Sequence, residues 1–289
     1  MATVTEPAPK TTMPEWLRML SLLRESWPAM IGVALVAFWV LMAIFAPFIS
    51  IYGPNENDYA ALANPGPSAT HWLGTDHLGR DLLSRVVWGA RTVLTVAPIA
   101  VVIAYTIGCL MGLAAGYYGG WIDNVLSRIA DIILSFPVII LYIIMIATFG
   151  ASAMNIIIAV TFTAAPQIMR IVRGLTLDIK NLEYVAAAKT RGESAWYIML
   201  VEILPNARGP LIVDACLRMG YTTIAIGVLG FLGLGLPPPT PDWGGMVKDT
   251  YSMMSVYPHM ALIPCAAISS LVIGFNLLAD GIREISLRD

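Results

Sequence analysis

The chain has 289 residues, 57% of them hydrophobic and only 12% charged, with a mean hydropathy of +0.73. Soluble domains carry about 25% charged residues, so half that share excludes a water-soluble globule and points to a polytopic membrane protein. A net charge of −2 without a basic tail argues against a nucleic-acid partner. Cys109, Cys216 and Cys265 stand singly in apolar stretches and read as buried thiols, not as disulfides or metal ligands.

Residues 1–28 form a polar-to-amphipathic N-terminal segment, expected in the cytoplasm. A spanning helix needs about 20 apolar residues, and residues 29–51 supply the first span, too long for the core of a cleaved signal peptide. Residues 92–117 supply the second. No charge occurs over residues 132–169, which is too long for one helix, so the FGASAMN segment at 149–155 divides it into the third and fourth spans. The fifth is expected at 211–234 and the sixth at 259–279, giving a six-span domain over 29–280 and a tail over 281–289. Six spans put both termini on one side. With that side cytoplasmic, thirteen of the 17 Lys and Arg residues fall inside, against Arg80, Arg85, Arg91 and Lys248 outside.

Three polar segments stand out. The first expected outer loop carries LGTDHLGRDLLSR, in which Asp76, Arg80 and Asp81 alternate acid, base and glycine. That pattern predicts helix caps and local Asp–Arg pairs. His71 and His77 bracket Asp76, but with no second carboxylate pattern they read as structural, not as a metal site. The second is the PPPTPDWGG run, where three prolines favour an extended path and Trp243 and Tyr257 suit a membrane interface. The third, within a cytoplasmic loop at about 176–210, is the island at 183–206, reading EYVAAAKTRGESAWYIMLVEILPN. Its first part is rich in helix formers, Gly192 permits a turn, and 194–202 forms a second short helix that Pro205 is expected to stop. In the fifth span, Asp214 and Arg218 are four residues apart on one helix face. Lone charges at membrane depth are costly, so they form a structural pair or Arg218 lines the path and meets anionic cargo.

Chemistry-bearing motifs are missing. There is no G-x-x-x-x-G-K-[ST] loop, no H-E-x-x-H and no G-x-S-x-G. An ion-driven secondary transporter would carry buried carboxylates or broken helices in repeated halves. Asp131 and Asp280 instead lie at expected span ends, and no internal repeat is visible. A non-transporting membrane anchor is the third reading.

The island resembles the "EAA" loop of ABC importer permeases, which runs Glu-Ala-Ala, three residues, Gly, nine residues, then Ile-x-Leu-Pro. Ala186-Ala187-Ala188, Gly192 and Leu204-Pro205 fall at those spacings, although Ala186 replaces the Glu and Glu202 the Ile. Leu73-Gly74-Thr75-Asp76, Gly79-Arg80-Asp81, Ser84-Arg85 and Gly89-Ala90-Arg91 resemble the first outer loop of the dipeptide, oligopeptide and nickel permease family. The run from Phe231 to Gly235, with Pro237-Pro238 and Asp242-Trp243-Gly244, is similar to its C-type subunit. The resemblance implies an all-α, type I ABC importer permease fold in a bacterial cytoplasmic (inner) membrane. It implies a related second permease subunit, two ATP-binding subunits that use ATP and Mg, and an extracytoplasmic solute-binding protein. This chain would bind no cofactor and have no ATPase site of its own. Glu183, Tyr184, Ala187, Ala188, Gly192, Leu204, Pro205 and Asn206 would form the coupling loop. Short peptides are the implied cargo, with nickel, opines, oligosaccharides and glutathione carried by relatives.

Overall fold

The computed structural model describes residues 26–286, and all of its regular elements are helices. Five are long and apolar enough to cross a bilayer, and a sixth crossing is counted if one bent pair forms a single span. The N-terminal segment before residue 26 and the last three residues of the tail lie outside the described residues.

Helix α1 (Trp27–Ile44) is followed by the short α2 (Ala46–Ile49) and a loop up to residue 81 that holds one 3₁₀ turn, Ala60–Ala63. Helix α3 (Leu82–Tyr118) starts ten residues before the expected second span. The charges Arg85 and Arg91 disguised its first turns, yet Asp81 caps it, accepting from Ser84 N at 2.8 Å. Its partner is α6 (Ala153–Ile179), and the seam between them is built on absent side chains. A Cβ at Gly108, Gly112 or Gly116 would lie 2.6–2.7 Å from a Cβ of Ile168, Val172 or Thr176 respectively. Small residues at this spacing let two spanning helices approach closely, where packing rather than the hydrophobic effect holds them together.

The third span departs from expectation. In its place stand α4 (Gly120–Leu134) and α5 (Val138–Phe149), a pair bent by 84° across Ser135, Phe136 and Pro137. Pro137 has no N–H with which to continue the α4 ladder, and Ser135 N closes that helix on Asp131 O. Most of α4 lies between the expected second and third spans, and two of its charges are paired by α6. Arg173 grips Asp123 through two nitrogens, and Arg170 reaches Asp131. The break expected at 149–155 is present: Gly150 takes a φ of 90°, and Ser152 caps α6 by accepting from Asn155 N.

After α7 (Glu183–Thr190) and α8 (Ala195–Tyr197), Pro205 does not stop the chain as expected. The backbone passes through a π-helical stretch, Ile198–Ile203, with Leu204 N bonded to Met199 O at 3.0 Å. It then re-enters through a single 3₁₀ turn, Pro205–Ala207, into α9 (Arg208–Phe231). At the first position of that turn the missing proline N–H costs little, and the wide register absorbs the mismatch.

Helix α10 (Trp243–Thr250) packs against α9 and α11 (His259–Ser286), the latter running past its expected end. Trp243 is not at an interface. It is fully buried, donates from Nε1 to Val86 O at 2.9 Å, and meets Trp39 edge-on at 4.9 Å between ring centres. A Cβ at Gly89 would sit 2.6 Å from its ring, so that glycine makes the slot for the indole.

Candidate functional site

The island folds as a two-sided knob. Val185, Ala188, Ile198, Met199 and Ile203 are buried in one cluster with Leu113 of α3 and Val172 of α6. The knob is therefore packed onto the same α3–α6 pair that forms the glycine seam. Glu183, Tyr184, Ala187, Pro205 and Asn206 are exposed on its other side. Among the residues expected to couple, Ala188 is buried and Leu204 half-buried, so these two hold the knob rather than face outward. Trp196, Leu200 and Val201 were not singled out from sequence, yet they expose apolar side chains there. Their spacing at i, i+4 and i+5 was the available signal.

Gly192 forms the bend with a φ of 81°, its N–H bonded to Lys189 O at 3.0 Å. Ser194 then caps the next turn by accepting from Tyr197 N. Glu202, at the position where the motif has Ile, receives Arg191 Nη2 at 3.3 Å across the bend. The substitution thus adds a tie between the two halves of the knob. Lys189 lies 5.4 Å over the Tyr117 ring, linking the knob to the end of α3.

The GTD–GRD segment forms a clasp. Asp76 accepts from Leu78 N and Arg80 N, and its second oxygen accepts from Arg80 Nε at 2.7 Å, with Arg85 Nε 3.5 Å away as an ion pair without a hydrogen bond. His71 is buried between two carboxylates, Nδ1 at 2.9 Å from Asp81 and Nε2 at 3.3 Å from Asp58. A neutral imidazole has one N–H and cannot donate to both. Burial pulls its pKa down, but the bonds to Asp81 and Asp58 outweigh that and raise it above 6.5. The same contact holds the Asp58 carboxyl below its ordinary range. His77 does not join this group, and among the described residues no cluster of three or more His, Cys, Asp or Glu could hold a metal. Asp242 caps α10 by accepting from Gly244 N and Gly245 N, and burial pushes its pKa up to about 6.

Asp214 and Arg218 do meet, Nε to Oδ2 at 3.0 Å, and two further residues join them. Tyr105 of α3 donates its hydroxyl to Asp214 at 2.5 Å, and Arg218 Nη1 donates to Gln167 Oε1 of α6 at 2.6 Å. The pair therefore ties α9 to both α3 and α6. Sequence spacing could not reveal partners 109 and 51 residues away.

Residues 104–289 match the family described as binding-protein-dependent transport system inner membrane component. Residues 15–67 match the N-terminal TM domain of oligopeptide transport permease C. The chain is 39% identical over 279 residues to the dipeptide transport system permease protein DppC of Alkalihalophilus pseudofirmus, covering 95% of this chain and 90% of that protein. It is 40% identical over 250 residues to the glutathione transport system permease protein GsiD of Pectobacterium atrosepticum, covering 86% and 83%. The GsiD of Escherichia coli O6:K15:H31 is 40% identical over 270 residues, covering 93% and 89%. A solved amino acid ABC transporter with histidines shares the fold, with a TM-score of 0.53 at 15% identity over 70% of this chain and 94% of that one.

Proposed function

Given that this chain belongs to the family of binding-protein-dependent transport system inner membrane components, we propose that it forms half the pore of an ABC importer for short peptides. As a permease of that family it is a multi-pass membrane pore component, not an ATPase. Peptide cargo is supported by relatives named for dipeptide and for glutathione, itself a small peptide. The expected complex adds a second permease subunit, two ATPases that bind ATP and Mg, and an external solute-binding protein, assembled in a bacterial inner membrane.

The observation that carries the mechanism is the two-sided knob at 183–206. Its buried face is part of the α3–α6 packing, and its free face offers Tyr184, Trp196, Leu200 and Val201 to a partner. Closure of an ATPase pair beneath it would move the knob with those spans as a rigid unit, so the chain acts as a two-state bundle biased from below. Ion-gradient coupling has less support: the carboxyl group of Asp214, within a span, is engaged by Tyr105 and Arg218.

This reading needs the knob in the cytoplasm and the segment after α9 outside. With Cys109, Cys216 and Cys265 replaced, a cysteine at the exposed Thr240 is expected to react with an impermeant thiol reagent in intact cells. One at the exposed Ser194 should react only after permeabilisation. Reversed labelling would remove the docking argument.

A further inference from the structure

A cleft of about 320 Å³ opens between α5, α6 and α9, and among the described residues Arg218 is the only charged one lining it. Its walls are mostly apolar, from Val138 and Ile139 to Val228, with Thr163 and Tyr142 hydroxyls 3.1 Å apart on one side. Arg218 lies roughly 12 Å along α9 from Pro210, which places it inside the span rather than at its mouth.

The hydrogen-bond inventory of Arg218 is incomplete in one direction. A guanidinium has five N–H donors in a planar fork. Nε serves Asp214 and Nη1 serves Gln167, while Nη2 makes no hydrogen bond to any described residue. Asp214 is in turn fixed by the Tyr105 hydroxyl. The carboxylate and the amide thus hold Nε and Nη1 in place and leave Nη2, with the second hydrogen of Nη1, for an acceptor such as a carboxylate. A largely apolar cleft with a few convergent polar groups is the usual form of a small-molecule site.

We infer that this cleft is a cargo subsite in which Arg218 receives a carboxylate of the transported peptide while the apolar walls of α5 and α9 take a neighbouring side chain. Asp214, Gln167 and Tyr105 are positioning residues that aim the guanidinium and keep the empty site neutral. Neutrality matters for turnover: an unpaired cation at this depth would be costly between cycles. It would also retain anionic cargo instead of passing it on. The inference rests on the peptide-importer reading and specifies which chemical group of the cargo the pore recognises.

The test uses the complete transporter in proteoliposomes with one binding protein throughout, so that the binding protein's own selectivity cancels between variants. Uptake is compared for a dipeptide and its C-terminal carboxamide. The double variant Asp214→Asn with Arg218→Gln leaves no lone charge in the span. It is expected to assemble with its ATPases in normal amount. It should take up the free-acid peptide about tenfold less efficiently and narrow the difference between acid and amide. A double variant that transports the free acid as the unmodified protein does would overturn the inference and leave a purely structural pair. If the double variant does not assemble, Val228→Trp decides, since it fills the cleft while leaving both residues of the pair in place. Blocked uptake in an assembled complex supports the subsite, and unimpaired uptake overturns it. Failure of the unmodified transporter to take up any peptide would instead count against the peptide-importer reading.

Discussion

Valine at Gly112 is expected to remove the permease from the membrane. Its Cβ would lie 2.6 Å from Val172 Cβ and 2.7 Å from Met169 O, and the second of these is backbone. A rotamer change cannot relieve that contact, so α3 and α6 must separate along their whole seam. Overpacking a filled site typically costs about 1–3 kcal/mol. In a bilayer no hydrophobic drive between helices compensates for lost contact. The knob packed on the same pair would lose its platform as well. Gly174→Ala, also on α6, is the matched control: nothing lies within 4 Å of its added Cβ. Immunoblotting of membranes should show Gly112→Val reduced about tenfold or more, the equilibrium consequence of roughly 1.4 kcal/mol, and Gly174→Ala at the unmodified level. Equal amounts of both would mean that the seam is not close-packed.

Valine at Gly192 should act on coupling instead of assembly. Nothing lies within 4 Å of a Cβ there, so the cost is not steric contact but the φ of 81°, which disfavours a β-branched residue by about 1–2 kcal/mol. The cheapest relief is to open the bend, which moves Glu202 away from Arg191 and re-aims Trp196 relative to Tyr184. The variant is expected to reach the membrane at a normal level but to lose co-purifying ATPase and ATP-dependent uptake. Gly192→Asn should keep both, because asparagine tolerates the left-handed region. Normal ATPase recovery with Gly192→Val would reduce the bend to a linker.

The long apolar stretches gave away α1, α6, α9 and α11, because a span of this length has no other reading. The small residues of the island likewise gave its shape, since Gly192 must turn and the alanines favour helix. Charge misled where tertiary partners cancel it. Asp123 reads as a free loop charge until Arg173 is placed beside it from another helix, while Asp131 stays half-exposed and pairs with Arg170 at the surface of the helices. Arg85 hid the first turns of α3 in the same way, because its partner Asp76 comes from the preceding loop. Trp243 was misplaced for a different reason. Its amphipathic ring suits an interface, but a slot at Gly89 and a carbonyl acceptor at Val86 satisfy it inside the bundle. In the cleft, Asp214 and Arg218 were legible from their spacing. Gln167 and Tyr105 were not, because a single polar residue in an apolar helix carries no local sign of what it faces.

The most direct measurement is peptide accumulation in proteoliposomes that contain this chain, a second permease subunit, the ATPases and a binding protein. A labelled dipeptide should accumulate only with MgATP on the ATPase side and binding protein on the other, and dissipating ion gradients should leave the rate unchanged. Accumulation driven by an ion gradient without ATP would contradict the importer reading and return this chain to the secondary transporters.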